Sequence, residues 1–98
     1  MKVLILVTAF NVENFIEKLI LRLPDKLKKS QLDFEILIID DASNDNTLKE
    51  IISIRDKYKD YKITCLSNKV NLGYGGNQKI GYHYAIKNNF DYVILLHG

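Results

Sequence analysis

Two carboxylates stand side by side at Asp40 and Asp41, directly after Glu35-Ile36-Leu37-Ile38-Ile39. Consecutive side chains on an extended chain point to opposite sides, so one acid can brace the loop while the other accepts hydrogen bonds from a ligand. Asp40 is the expected structural member and Asp41 the ligand-facing one. The ring N–H of uracil, or the amino and imino groups of guanine, are donors of the right kind. The plainer alternative is a turn and capping role for both.

A second candidate is Asn71-Leu72-Gly73-Tyr74-Gly75-Gly76-Asn77-Gln78-Lys79, expected to be a loop to Gly76 that feeds a helix. Its glycines permit positive φ or a close backbone approach. The helix N-terminus together with Lys79 offers a locally positive end that suits a diphosphate. The third candidate is Thr8-Ala9-Phe10-Asn11. It has no glycine-rich turn, so the dinucleotide fingerprint is absent, and so is the P-loop. Phe10 could present an aromatic face to a base while nearby backbone groups read the base's edge; otherwise it is a core residue. Gly81 lies inside the helix and is expected to allow close helix–sheet packing. His83 reads as structural, whereas His97 stands at a strand end where it could support a site.

The elements that must hold these residues follow from apolar patterning. Val3 to Val7, Phe34 to Ile39, Lys62 to Leu66 and Phe90 to Leu96 read as strands, the first as a continuous run covered on both faces and the second as buried-looking too. Val12, Phe15, Ile16, Leu19, Ile20 and Leu23 recur at helical spacing, with Asn11 as N-cap and a kink or restart at Pro24 before Leu27. Leu48, Ile51, Ile52 and Arg55 mark a second helix, which could start with Asp45 as cap or with a Thr47-x-x-Glu50 box. A third runs from the glycine loop to about Asn89. This alternation argues for a Rossmann-like α/β three-layer sandwich with a mainly parallel four-stranded sheet. Ligands of open α/β sheets gather beyond the carboxyl ends of the strands, where all three candidates lie.

Composition narrows the classes. With 98 residues, 47% of them apolar, the chain suits one small domain over residues 1–98. A net charge of +2 announces neither nucleic acid nor an acidic membrane. Lys26, Lys28 and Lys29, like Lys57, Lys59 and Lys62, alternate with acids and read as solvated faces. One cysteine, Cys65, excludes an internal disulfide and reads as core. No segment has the length of a signal-peptide core or a membrane span. A cytoplasmic setting is the expectation, at most at a membrane's cytoplasmic face.

Val7-Thr8-Ala9-Phe10-Asn11, Ile38-Ile39-Asp40-Asp41-Ala42-Ser43-Asn44-Asp45-Asn46-Thr47, Asn71-Leu72-Gly73-Tyr74-Gly75-Gly76 and Asp91-Tyr92-Val93-Ile94-Leu95-Leu96-His97-Gly98 stand in one order across the chain. In this the sequence closely resembles inverting glycosyltransferases of family 2, which have the GT-A fold. Its ending resembles the branch of dolichol-phosphate mannosyltransferase-like and other polyprenyl-phosphate enzymes. The resemblance implies strand order 3-2-1-4 and a nucleoside-diphosphate sugar as ligand. It implies that Thr8, Ala9 and Phe10 flank the base, that Asp41 contacts it, and that Asn11, Asn71, Gly73 and Lys79 belong to the nucleotide-sugar site. It further implies inversion by direct displacement, with an aspartate base and a divalent metal, Mg or Mn, on an acidic motif that would follow Gly98. Residues 1–98 alone are then expected to bind no metal and to turn nothing over. A polyprenyl-phosphate or cell-surface glycan acceptor is implied for the whole enzyme, and an apolar edge at Tyr92 to Leu96 suggests a homodimer of this piece.

Three residues depart from the pattern. Thr8 stands where many relatives have proline, Ala42 replaces the usual glycine in what reads as a mild change, and Val12 stands where many carry glutamate. Glu13 comes one position late, about 100° away on a helix. Other classes fit less well. A receiver domain needs an aspartate ending strand three, where Cys65-Leu66-Ser67 stands, and a nucleotidyltransferase needs a glycine- and arginine-rich loop after strand one. A non-catalytic interaction module of the same fold remains the alternative.

Overall fold

The computed structural model describes residues 1–23 and 33–97. Strands β1 (Lys2–Ala9), β2 (Asp33–Asp40), β3 (Ile63–Ser67) and β4 (Tyr92–His97) alternate with helices α1 (Ile16–Leu21), α2 (Thr47–Lys57) and α3 (Gly73–Lys87). All pairings are parallel, in the order β3-β2-β1-β4. Both the expected topology and the expected strand order are observed. The register aligns Ala9 with Asp40 and Asp40 with Ser67, while Thr8 aligns with His97. The carboxyl tips of all four strands therefore open on one edge.

Period-two alternation splits the sheet's side chains between two cores. Ile5, Val7, Ala9, Ile36 and Ile38 face α1 and α2, where they meet Ile16, Ile20, Ile51 and Ile54. Leu4, Leu6, Leu37 and Ile39 face α3 and meet Ala85, with Ile80 and Tyr84 beside it. Helices on both faces make three layers. The two central strands are buried from Val3 to Val7 and from Glu35 to Asp40 because each face of them has a helix above it. Gly81 makes the close approach of α3 possible: a Cβ there would sit 2.3 Å from Leu6 Cδ2. At the opposite end of the strands, buried Glu35 accepts a hydrogen bond from the Tyr84 hydroxyl and lies 3.2 Å from Lys62 Nζ, which ties α3 to the start of β3.

Some local expectations are corrected. Asn11 is no helix cap: α1 begins at Ile16, and Asn11 adopts φ +51° in the turn between. Phe15 points to solvent although the rest of its stripe packs inward. Helix α3 starts at Gly73, so Gly75 and Gly76 belong to its first turn and only Gly73 uses positive φ. Ala42 also sits at φ +61°, so replacing glycine there is not conformationally mild. The expected kink at Pro24, Leu27 and the Lys26–Lys29 group lie outside the described residues. Strand β4 forms one edge of the sheet, with Tyr92 56% and Ile94 44% exposed on the α1/α2 side.

Candidate functional site

The loop after β2 is the centre of the tip region, and Asp41 is its best-connected residue. Its Oδ1 accepts the Leu72 N–H at 2.7 Å and the Asn68 amide at 3.0 Å, and its Oδ2 accepts the Gly73 N–H at 3.0 Å. Asn68 also donates to Asn77 Oδ1 at 2.7 Å, and Asn71 donates to the Asp41 carbonyl at 3.3 Å. Asp41 thus caps the N-terminus of α3 from the β2 loop, 31 and 32 residues from the amides it accepts, where a negative charge meets the positive end of the helix. Burial by itself pushes the Asp41 carboxyl up, but bonds from Leu72, Asn68, Gly73 and Asn77 together outweigh it and hold the group below its ordinary value.

This changes the expected division between the two acids. Asp40 braces its own loop by accepting the Ser43 hydroxyl at 2.5 Å. Asp41, only 4% exposed, is a brace as well. It is not turned wholly inward, however: it lines a cavity of about 270 Å³ with Thr8, Ala9, Phe10, Asn71, Gly73, Tyr74 and Asn77. A carboxylate has four acceptor sites, and those of Asp41 are shared among Leu72, Asn68, Gly73 and Asn77, so a ligand donor at the cavity would share one of them. The amides of Leu72 and Gly73, in contrast, are committed to Asp41 and are not presented to a diphosphate.

Phe10 is 45% exposed at the cavity rim and not a core residue, and Tyr74, 47% exposed, is a second aromatic on the same cavity. Six of the eight expected ligand-site residues, Thr8, Ala9, Phe10, Asp41, Asn71 and Gly73, come together here. Asn11 and Lys79 are not among its lining residues. Asn11 instead turns the chain beside the β2 loop and accepts the Asn44 N–H at 2.8 Å. Lys79 is exposed on α3, two residues past Asn77 and therefore about 200° round the helix. Tyr74 and Asn77 are the residues the sequence reading missed. Asn77, Gly81 and Ala85 are the buried residues of α3, a stripe of small or short side chains at every fourth position that marks the face against the sheet.

A wider concavity of about 610 Å³ lies on the other side of the β2 loop, between Asn44, Lys49, Ile52 and Lys69 among others. No aromatic ring lines it, and its acids Asp40 and Asp45 already accept bonds from Ser43 and Thr47. The smaller cavity is the better ligand site. A metal fits neither: among the described residues no three His, Cys, Asp or Glu side chains gather, and the three aspartates of the β2 loop serve hydrogen-bond donors. No described helix is long and apolar enough to cross a membrane.

The family model for glycosyl transferase family 2 matches residues 4–98. The chain belongs to that family. Among solved structures it is similar to Staphylococcus aureus TarS 1-349, with TM-score 0.73 and 24% identity over 99% of this chain and 27% of that one. TarS in complex with UDP-GlcNAc gives TM-score 0.72 at the same identity, over 99% of this chain and 26% of that one. It is also similar to the mannosyltransferase PcManGT from Pyrobaculum calidifontis in complex with GDP-Man and Mn2+, with TM-score 0.70 and 19% identity over 85% of this chain and 24% of that one. No curated protein matches. This family 2 glycosyltransferase chain thus has the GT-A fold of those enzymes and spans about a quarter of their length.

Proposed function

We propose that these residues form the nucleotide-recognition part of a family 2 glycosyltransferase that uses a nucleoside-diphosphate sugar. The observation that carries this reading is the cavity where the tips of β1 and β2 meet the start of α3. Phe10 supplies an aromatic face at its rim, and the Asp41 carboxylate and the Asn71 side chain, which line the same cavity, would meet the edge of a base. Its position beyond the carboxyl ends of the strands, beside the point where the chain crosses from the β2 side of β1 to β4, is where open α/β sheets bind nucleotides. A volume of about 270 Å³ suits a base and part of its ribose, whereas drug-sized sites run from about 300 Å³ upward. Affinity should accordingly be weak, on the order of millimolar.

Titration with UDP and with GDP, followed by amide shifts, tests the proposal. Shifts centred on residues 8–10, 41 and 71–77 are the expected result, and Lys79→Ala should leave the affinity within about twofold. No response to either nucleotide at several millimolar would leave the chain as a non-catalytic module of the same fold.

Sugar transfer proper needs a base for the acceptor's proton and a metal for the leaving diphosphate. The acids of the β2 loop, already engaged as hydrogen-bond acceptors, supply neither. We therefore expect residues 1–98 to bind without turnover; measurable transfer by this chain would overturn that. In the whole enzyme the acceptor would be a polyprenyl phosphate, used at the cytoplasmic face of a membrane, or a cell-surface glycan. Exposed Tyr92 and Ile94 on the β4 edge support pairing of two copies of this piece. Sedimentation showing a monomer at every concentration would count against the pairing.

A further inference from the structure

Phe10 stands at the end of β1, and what holds it there is the chain immediately after it. Three successive amides donate to side-chain oxygens of the segment after β2. The Asn11 N–H reaches Ser43 Oγ at 2.9 Å, the Val12 N–H reaches Thr47 Oγ1 at 2.8 Å, and the Glu13 N–H reaches Asp45 Oδ2 at 3.4 Å. Asn11 Oδ1 returns the link by accepting the Asn44 N–H. Backbone amides that would otherwise need water or a helix are thereby satisfied across more than 30 residues of sequence.

Thr47 is the hinge of this arrangement. It is fully buried, and its hydroxyl donates to Asp45 Oδ1 at 2.5 Å, which leaves its oxygen lone pairs for Val12. Asp45 also accepts the Thr47 N–H at 2.9 Å, so one carboxylate sets both the start of α2 and the direction of the hydroxyl. The hydroxyl of Thr47 is the acid's largest influence and holds the Asp45 carboxyl below its ordinary value, so it is charged at neutral pH. Neither Thr47 nor Asp45 lines the cavity of Phe10.

We infer that Thr47 and Asp45 are positioning residues for base recognition: through the amides of residues 11–13 they set the Phe10 wall relative to Asp41. This rests on the nucleotide reading of the cavity and adds the device that keeps it open without a ligand. Asp41 holds the Gly73 wall from the same loop, so the segment from Asp40 to Thr47 fixes both sides of the site.

The test compares Thr47→Val, which keeps the shape and removes the hydroxyl, with Thr47→Ser, which restores it. In the ligand-free protein, Thr47→Val should raise hydrogen exchange at the Val12 amide roughly threefold to tenfold, the worth of one net hydrogen bond, and should shift the Phe10 ring resonances. Nucleotide affinity should fall by a similar factor, with Thr47→Ser returning both within about twofold of wild type. A folded Thr47→Val with unchanged affinity and unchanged Val12 exchange overturns the inference. So does faster exchange with unchanged affinity, because the clamp would then be structural alone. If Thr47→Val does not fold, Ser43→Ala gives the same readouts at Asn11, where unchanged affinity again overturns it. Failure of the wild type to bind UDP or GDP refutes the reading of the cavity, and with it the recognition role. Val12 exchange would then still report whether the clamp exists.

Discussion

Asp41→Asn is the substitution that most directly tests how the site is built, because it keeps the volume and removes the charge. The wild-type carboxylate accepts two backbone N–H groups and the Asn68 amide. An asparagine has one acceptor oxygen, so its NH₂ must face Leu72, Gly73 or Asn68 as donor against donor. Hydrogen bonds to charged groups contribute about 1.5–3 kcal/mol each, and the helix-terminus interaction adds roughly 0.3–1 kcal/mol. Losing one such bond and the charge should therefore cost about 2–4 kcal/mol, a large share of the roughly 5–15 kcal/mol expected for a domain. With a urea m-value of about 1–3 kcal/mol/M, the unfolding midpoint should fall by about 0.7–4 M at pH 7, read by far-ultraviolet circular dichroism. The sign with pH is set by the depressed folded-state pKa of Asp41. Its stabilisation is present above the unfolded value of about 4 and is lost as pH falls through the lower folded value. The gap between wild type and Asp41→Asn should therefore narrow from about pH 5 to pH 3. Equal midpoints at pH 7, or a gap indifferent to pH, would refute Asp41 as the charged cap of α3.

Two glycine positions give predictions of opposite sign. Ala42→Gly relieves an alanine at φ +61°, where L-residues cost roughly 1–2 kcal/mol, against about 0.4–1 kcal/mol of added unfolded-chain entropy. A rise in melting temperature of a few degrees is expected, and a fall would show that the turn carries no strain. Gly81→Ala puts a Cβ 2.3 Å from Leu6 Cδ2 in a fully buried core. Overpacking of about 1–3 kcal/mol should outweigh the helix-propensity gain of about 1 kcal/mol and lower the melting temperature. A more stable Gly81→Ala would mean that α3 can lift off the sheet without loss.

The layered fold was legible because it rests on local regularities. Val3 to Val7 and Ile36 to Ile39 are apolar without interruption, which only strands covered on both faces require, and the stripes of α1 and α2 give each helix one buried side. The strand order came from family resemblance, since no local pattern distinguishes β4 beside β1 from β4 beside β3. Within the site, Thr8, Phe10 and Asp41 could be chosen as candidates because strand tips in such sheets converge on one edge. Their roles could not be read in the same way. Whether Asp41 meets a ligand or the amides of Leu72 and Gly73, whether Asn11 caps a helix or locks against Ser43 and Asn44, and where Lys79 points all depend on contacts between residues about 30 or more apart or on where α3 begins. Hydrogen-bond partners are chosen by proximity in space, and composition along the chain carries no record of that choice; only the packed sheet brought those groups within 3 Å of one another.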